Sequence, residues 1–127
     1  MHTRFGVAIC ALLVALLAGF GAGASAQDKF DKPVRIVVGF AAGGTADIIA
    51  RVVADKLKDT LGQPVIVDNR PGAVGRIAAD AVKNAAPDGA TIMVMPIGPM
   101  AVVPHTYKTI SYDALNDFTP IALGATF

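Results

Sequence analysis

Two short glycine-rich stretches carry most of the chemistry this chain can offer. One is Gly43-Gly44-Thr45, just ahead of an amphipathic run; the other runs from Gly72 to Gly75, ahead of an alanine-rich run. A glycine turn that opens a helix exposes unpaired backbone N–H groups at the positive end of the helix dipole, and that combination attracts anions. Two such loops on one edge can hold a small carboxylate without any arginine. The competing reading is that these glycines only permit tight strand-to-helix turns. Asp47 falls in the first helical turn after Gly44. A carboxylate there balances the dipole, or it accepts from a ligand amine.

Other chemistries find little support. Gly39 to Gly44 lacks the G-x-G-x-x-G spacing, no Gly-Lys-Ser/Thr triplet follows, and Gly72-Ala73-Val74-Gly75 is a lone G-x-x-G. There is no G-x-S-x-G element. Ser111 has no His-Asp partner near it in sequence, and His105 stands alone after Pro104. One Cys and two His are too few for a Cys/His metal site or a disulfide framework. No catalytic residue, metal or cofactor is therefore assigned. Eleven Lys and Arg against ten acidic residues, all Asp, exclude a basic nucleic-acid binder and an acidic disordered tail. Asp68 and Arg70 flank a strand end and are read as structural partners. Met93, Met95 and Met100 are read as core or cleft lining.

The elements that must position these loops alternate in type. Pro33 opens the β-branched run Val34 to Phe40, which reads as a buried strand. A helix capped by Gly44 or Thr45 follows, with Ile49, Val52, Val53, Leu57 and Leu61 as its apolar face, and Gly62 and Pro64 as its stop. Pro64 to Asn69 is a second strand. Ile77 to Ala86 is alanine-rich and reads as a second helix ending near Asn84 to Ala86, with Ile77, Ala81 and Val82 at helical offsets. Pro87-Asp88-Gly89 is a turn, and Thr91 to Met95 a third strand. Met100 to Tyr107 holds a short helix as far as Pro104, and Thr119 to Thr126 reads as a fourth strand. Strands alternating with helices imply a parallel sheet, with both glycine loops at the carboxyl ends of strands. Ligands of open α/β sheets bind at that edge.

The 127 residues are 54% apolar and 17% charged, with a mean hydropathy of +0.55. Much of that excess is local. Met1 to Arg4 is a short basic start, Phe5 to Phe20 is uncharged, and Ala24-Ser25-Ala26 matches an A-x-A cleavage site. This is the layout of a secretory signal peptide, cleaved after Ala26; a membrane anchor is the alternative, but Gly19, Gly21 and Gly23 interrupt it. Removing Arg4 and Cys10 leaves residues 27–127 charge-balanced and free of cysteine. That length can bury one core and cannot build two lobes.

The order of these pieces resembles the receptor family of tripartite tricarboxylate transporters, the Bug-type extracytoplasmic solute-binding proteins. The resemblance rests on Lys32-Pro33-Val34-Arg35-Ile36-Val37-Val38, on Gly43-Gly44-Thr45-Ala46-Asp47 through Arg51, on Leu61-Gly62-Gln63-Pro64 with Asn69-Arg70-Pro71-Gly72-Ala73, on Ala86-Pro87-Asp88-Gly89, and on Tyr112-Asp113 with Asp117-Phe118-Thr119-Pro120. It implies a periplasmic-binding-protein-like α/β fold of type II, with a mainly parallel sheet flanked by helices. It also implies capture of a small carboxylate, delivery to membrane permease subunits, a periplasmic location, a monomer when complete, and no catalysis. Carried over by position, the cleft loops are Ala41 to Asp47, Pro71 to Gly75, and Pro96 to Met100. That adds Ala42 and Gly98 to a candidate ligand-binding set of Gly43, Gly44, Thr45, Asp47, Gly72 and Gly75.

Three departures qualify the resemblance. Ala42 stands where proline often precedes the first Gly-Gly. The third loop, Pro96-Ile97-Gly98-Pro99-Met100, is more apolar than usual, which suggests a ligand with an apolar portion or binding by backbone alone. Arg76 replaces a residue that is often small or polar. Members of the family are roughly twice this length or more, as two lobes of ordinary domain size require. Residues 27–127 are therefore expected to be a partial first lobe. A small α/β enzyme binding a nucleotide or phosphate, and a non-functional truncated remnant, are the competing readings.

Overall fold

The computed structural model describes residues 32–126. The export signal assigned to residues 1–26 lies outside the described residues. Three strands form a parallel sheet: β1 (Val34–Val38), β2 (Val65–Asn69) and β3 (Thr91–Val94), in the order β2-β1-β3. β1 is central, and the register pairs Val38 with Asn69 on one side and with Val94 on the other. All three strands thus end level. The connections that leave them, each starting with or close to a glycine or proline, emerge at one edge.

Between β1 and β2 the chain forms α1 (Thr45–Leu61), with Gly44 as N-cap and Gly62 as C-cap. Gly62 adopts the left-handed conformation, φ 63°, and its amide closes on the Lys58 carbonyl at 3.0 Å. Between β2 and β3, a short 3₁₀ turn (Ala73–Gly75) leads into α2 (Arg76–Lys83). After β3, a wide turn (Gly98–Val102) continues into α3 (Val103–Thr106).

The alternation of β1 side chains separates two layers. Ile36 and Val38 pack with Ala50 and Ala54 of α1, ringed by Val53, Leu57, Val65, Val67, Ile92 and Val94. Val37 points to the opposite face and is equally buried. There α2, seated through the buried Ala78 and Ala79, packs on β1 and β3. No helix among the described residues is long and apolar enough to cross a membrane.

Four expectations need correction. The buried stripe of α1 is Ala46, Ala50, Val53, Ala54 and Leu57, so Val52 of the expected face lies outside, 60% exposed. In α2, Ile77 is half-exposed and the alanines beside it are buried. Both helices meet the sheet through methyl groups, because a small side chain lets a helix lie close. The third helix does not stop at Pro104: the wide turn closes with the Val103 amide on the Gly98 carbonyl, and the Pro99 carbonyl, the next acceptor along, takes the Tyr112 hydroxyl instead of the N–H that proline lacks. The expected fourth strand, Thr119 to Thr126, joins no ladder, and its Ile121 and Leu123 are exposed. Apolar composition alone does not make a strand where no neighbouring strand accepts its hydrogen bonds.

Candidate functional site

The carboxyl edge of the sheet gathers three loops. In the first, Gly43 takes φ 84°, a conformation that favours glycine, and turns the chain into α1. The first helical bond runs from the Ile48 amide to the Gly44 carbonyl at 3.0 Å. The amides of Thr45, Ala46 and Asp47 precede it. Among the described residues these three donate to no protein acceptor, and no side chain caps Gly44. Ala42, Gly43, Gly44 and Thr45 are all exposed. The first turn of a 17-residue helix therefore presents free donors, backed by the positive end of its dipole.

Asp47 lies just beneath that turn, 2% exposed. Its carboxylate accepts from the Gly43 amide at 2.8 Å, from Arg51 Nε at 2.9 Å and from Asn69 Nδ2 at 3.0 Å. The Arg51 guanidinium first, then the Gly43 amide and the Asn69 side chain, hold the carboxyl far below the usual carboxylate range. Asn69 also donates to the Phe40 carbonyl at 3.2 Å. The end of β2, the loop after β1 and the start of α1 are thereby tied at one buried anion. That is the geometry of an internal clasp, with the charge of Asp47 compensated before any ligand arrives.

The second loop is conformationally costly. Gly72, Ala73, Val74 and Gly75 all have positive φ, at 132°, 47°, 56° and 82°. For Ala73 and Val74, which carry a Cβ, that is uncommon and costs stability. Gly75 is buried against the third loop: a Cβ on it would stand 2.9 Å from Met95 Sδ and 3.1 Å from Pro99 Cγ. Gly39, at the end of β1, is confined in the same way, since its Cβ would meet Met95 Cε at 2.7 Å and Gly75 Cα at 3.0 Å. The Met95 thioether thus fills the room that two glycines leave between the loops. Gly98 is partly buried with open space around it, and Ile97 beside it is 76% exposed. Tyr112, buried, donates its hydroxyl to the Pro99 carbonyl and packs edge-on against Phe118 with ring centroids 5.9 Å apart. Burial pushes its phenol pKa upward.

Sequence reasoning placed the glycines at this edge but gave no role to Asn69, Arg51 or Tyr112. Asn69 sits at an ordinary strand end, and only the residue type, a small amide with two donors, hinted at a bridging role. Arg51 is four residues beyond Asp47, the helical spacing for an ion pair. Elsewhere the side chains have structural partners. Arg70 Nε pairs with Asp68 at 2.9 Å, as their spacing suggested. Ser111 donates to Asp80 at 2.6 Å, and Lys83 reaches both the Ser111 carbonyl and Asp117. Among the described residues no group of three or more His, Cys, Asp or Glu could hold a metal ion.

Comparison with known proteins places the chain in a family. The sequence pattern of the tripartite tricarboxylate transporter family receptor matches residues 49–126. The chain belongs to that receptor family. BugT of Bordetella pertussis is 40% identical over 107 residues, covering 84% of this chain and 33% of BugT. The periplasmic binding protein BugD superposes with a TM-score of 0.68 at 41% identity, over 72% of this chain and 30% of BugD. MatC from Rhodopseudomonas palustris, solved with bound malate, gives 0.69 at 40% identity, over 74% of this chain and 32% of MatC. The chain spans about a third of the length of the relatives it matches. The α/β fold is that of a periplasmic-binding-protein-like domain in part, and the solved relatives in this receptor family are binding proteins rather than enzymes.

Proposed function

We propose that this chain carries the ligand-capturing edge of a periplasmic receptor for a small carboxylate, and that it catalyses no reaction. The observation that carries the reading is the set of three free amides, Thr45, Ala46 and Asp47, at the start of α1, above an Asp47 whose charge is already compensated. Left uncompensated, that aspartate would repel an incoming anion; with Arg51 and Asn69 in place, the dipole and the donors act on the ligand. Ala42, Gly43, Gly44 and Thr45 form one side of the site, Gly72 and Gly75 the second, and Gly98 the third. Asp47 shapes the first loop from below.

Residues 27–127 are part of the first lobe of a two-lobed domain, exported after cleavage at Ala26, monomeric when complete, and handing its ligand to membrane permease subunits of the transporter. The malate bound to MatC supports the carboxylate class, because that relative shares this part of the fold. Isothermal calorimetry of the purified protein against short mono-, di- and tricarboxylates tests the reading. Saturable binding without turnover of the ligand is expected. Preference for inorganic phosphate or a nucleotide over every carboxylate rejects it.

A further inference from the structure

Arg76 breaks two local rules at once. It occupies the first position of α2, where the partial positive charge of the helix end disfavours a cation, and the first turn of α2 contains no acidic residue. Arg35, Arg51 and Arg70 each have a carboxylate within ion-pair distance; among the described residues Arg76 has none. A cation without a counter-ion at the positive end of a helix is a local conflict of the kind that marks functional positions.

The side chain is nevertheless fixed in place. Arg76 Nε donates to the Ala73 carbonyl at 3.0 Å, and the guanidinium carbon lies 4.5 Å over the centroid of the Tyr107 ring. Ala73 is delivered by the turn in which it and Val74 adopt positive φ, and the same carbonyl receives the Arg76 backbone amide. With Nε turned inward and one face of the guanidinium on the tyrosine, the four Nη hydrogens make no hydrogen bond among the described residues. A planar fork held in this way matches a carboxylate in two-point geometry. Gly75, next to Arg76, packs against the Met95 thioether and Gly39 at the end of β1, so the base of the second loop adjoins the strand that leads into the first.

We infer that Arg76 reads a second anionic group on the ligand, so that dicarboxylates are selected over monocarboxylates of the same chain length. This rests on the carboxylate-receptor reading above. The first carboxylate meets the amides at the start of α1; the second meets the Arg76 fork.

The test is calorimetry with length-matched pairs, succinate against butyrate and adipate against hexanoate, on the wild-type protein, Arg76→Gln and Arg76→Lys. In the wild type, the better pair is expected to favour the dicarboxylate by about tenfold or more. In Arg76→Gln that ratio falls to near one. In Arg76→Lys it is intermediate, since the charge stays and the fork is lost. The melting temperature of Arg76→Gln is expected within a few degrees of the wild type, because loss of the contacts to the Ala73 carbonyl and the Tyr107 ring is offset by removal of a cation from the positive end of α2; a merely structural arginine would leave the ratio between the paired ligands unchanged. A ratio unchanged in Arg76→Gln, or absent in the wild type, overturns the role of Arg76 alone. Failure of the wild type to bind any carboxylate overturns the receptor reading on which it rests.

Discussion

The side-chain amide of Asn69 donates to the carboxylate of Asp47 at 3.0 Å, joining residues 22 apart in sequence. One is the last residue of β2 and the other lies in the first turn of α1. With Gly43 and Arg51 on the same carboxylate, the bond sets where the first loop sits over the sheet.

That clasp predicts how stability depends on pH. The carboxyl of Asp47 titrates well below its ordinary value of 3.8 in the folded chain, so the unfolded chain binds more protons on acidification. The stabilisation is complete above the unfolded value and drains as pH falls toward the depressed folded one. Asp88 beside Lys32, Asp113 beside Asn116, and Asp117 at the Asp113 amide are shifted in the same direction. Calorimetric melting temperatures should be level above about pH 5 and decline below about pH 4. Asp47→Asn should melt lower at neutral pH and show a shallower acid decline. An acid decline identical to that of the wild type would mean that Asp47 is not part of it.

Thr45→Pro isolates the free amides. Thr45 is the first residue of α1, a position where proline is at home, and Gly44 before it has φ −80° and ψ 169°, the extended geometry that a following proline requires. The substitution removes one donor with little disturbance of the helix. Carboxylate affinity should fall about tenfold or more, as for loss of a hydrogen bond to a charged group. The melting temperature should stay within a few degrees of the wild type. Full affinity in calorimetry would remove the Thr45 amide from the site.

Gly75→Ala is expected to be harmful on two counts. The residue has φ 82°, and the added methyl would come within 2.9 Å of Met95 Sδ. The left-handed conformation alone costs about 1–2 kcal/mol for a residue with a Cβ, and the contact adds to it. Urea unfolding should show the loss. Met95→Ala in the same chain should restore part of it by vacating the space. No rescue would place the cost in the backbone alone.

Ile36→Ala probes the core beneath the site. Ile36 is fully buried at the centre of the sheet, between α1 and the flanking strands. Truncation should cost about 2–5 kcal/mol in chemical denaturation, through lost burial and the cavity left behind. A cost below about 1 kcal/mol would show that α1 collapses onto the gap.

Much of this architecture was legible in the sequence where a residue acts locally. Gly44, Gly62 and Pro64 bracket α1 because caps and breakers work through their own backbone. The β-branched run before Gly39 reads as a buried strand, and β1 is one. The helix faces were misread because Val52 and Ile77 outweigh their neighbours in any apolar pattern, while Ala50, Ala54, Ala78 and Ala79 make the closest seats. The clasp at Asp47 was half visible: Arg51 stands at helical spacing, but nothing local to Asn69 announces a partner that tertiary folding brings to it. The segment from Thr119 has the composition of a strand without a ladder to join, and pairing is not written in one strand's own residues.

Those alanine seats have a mechanical consequence. Ala50 and Ala54 set the height at which α1 rides on the sheet, and the donors of Thr45, Ala46 and Asp47 are carried at one end of that rigid rod. Widening a seat by one or two methyl groups would lift the rod and swing its tip away from the neighbouring loops. Distant interior positions therefore act as a lever on the rim, and a repertoire of affinities is open to this scaffold through substitutions that never touch the ligand.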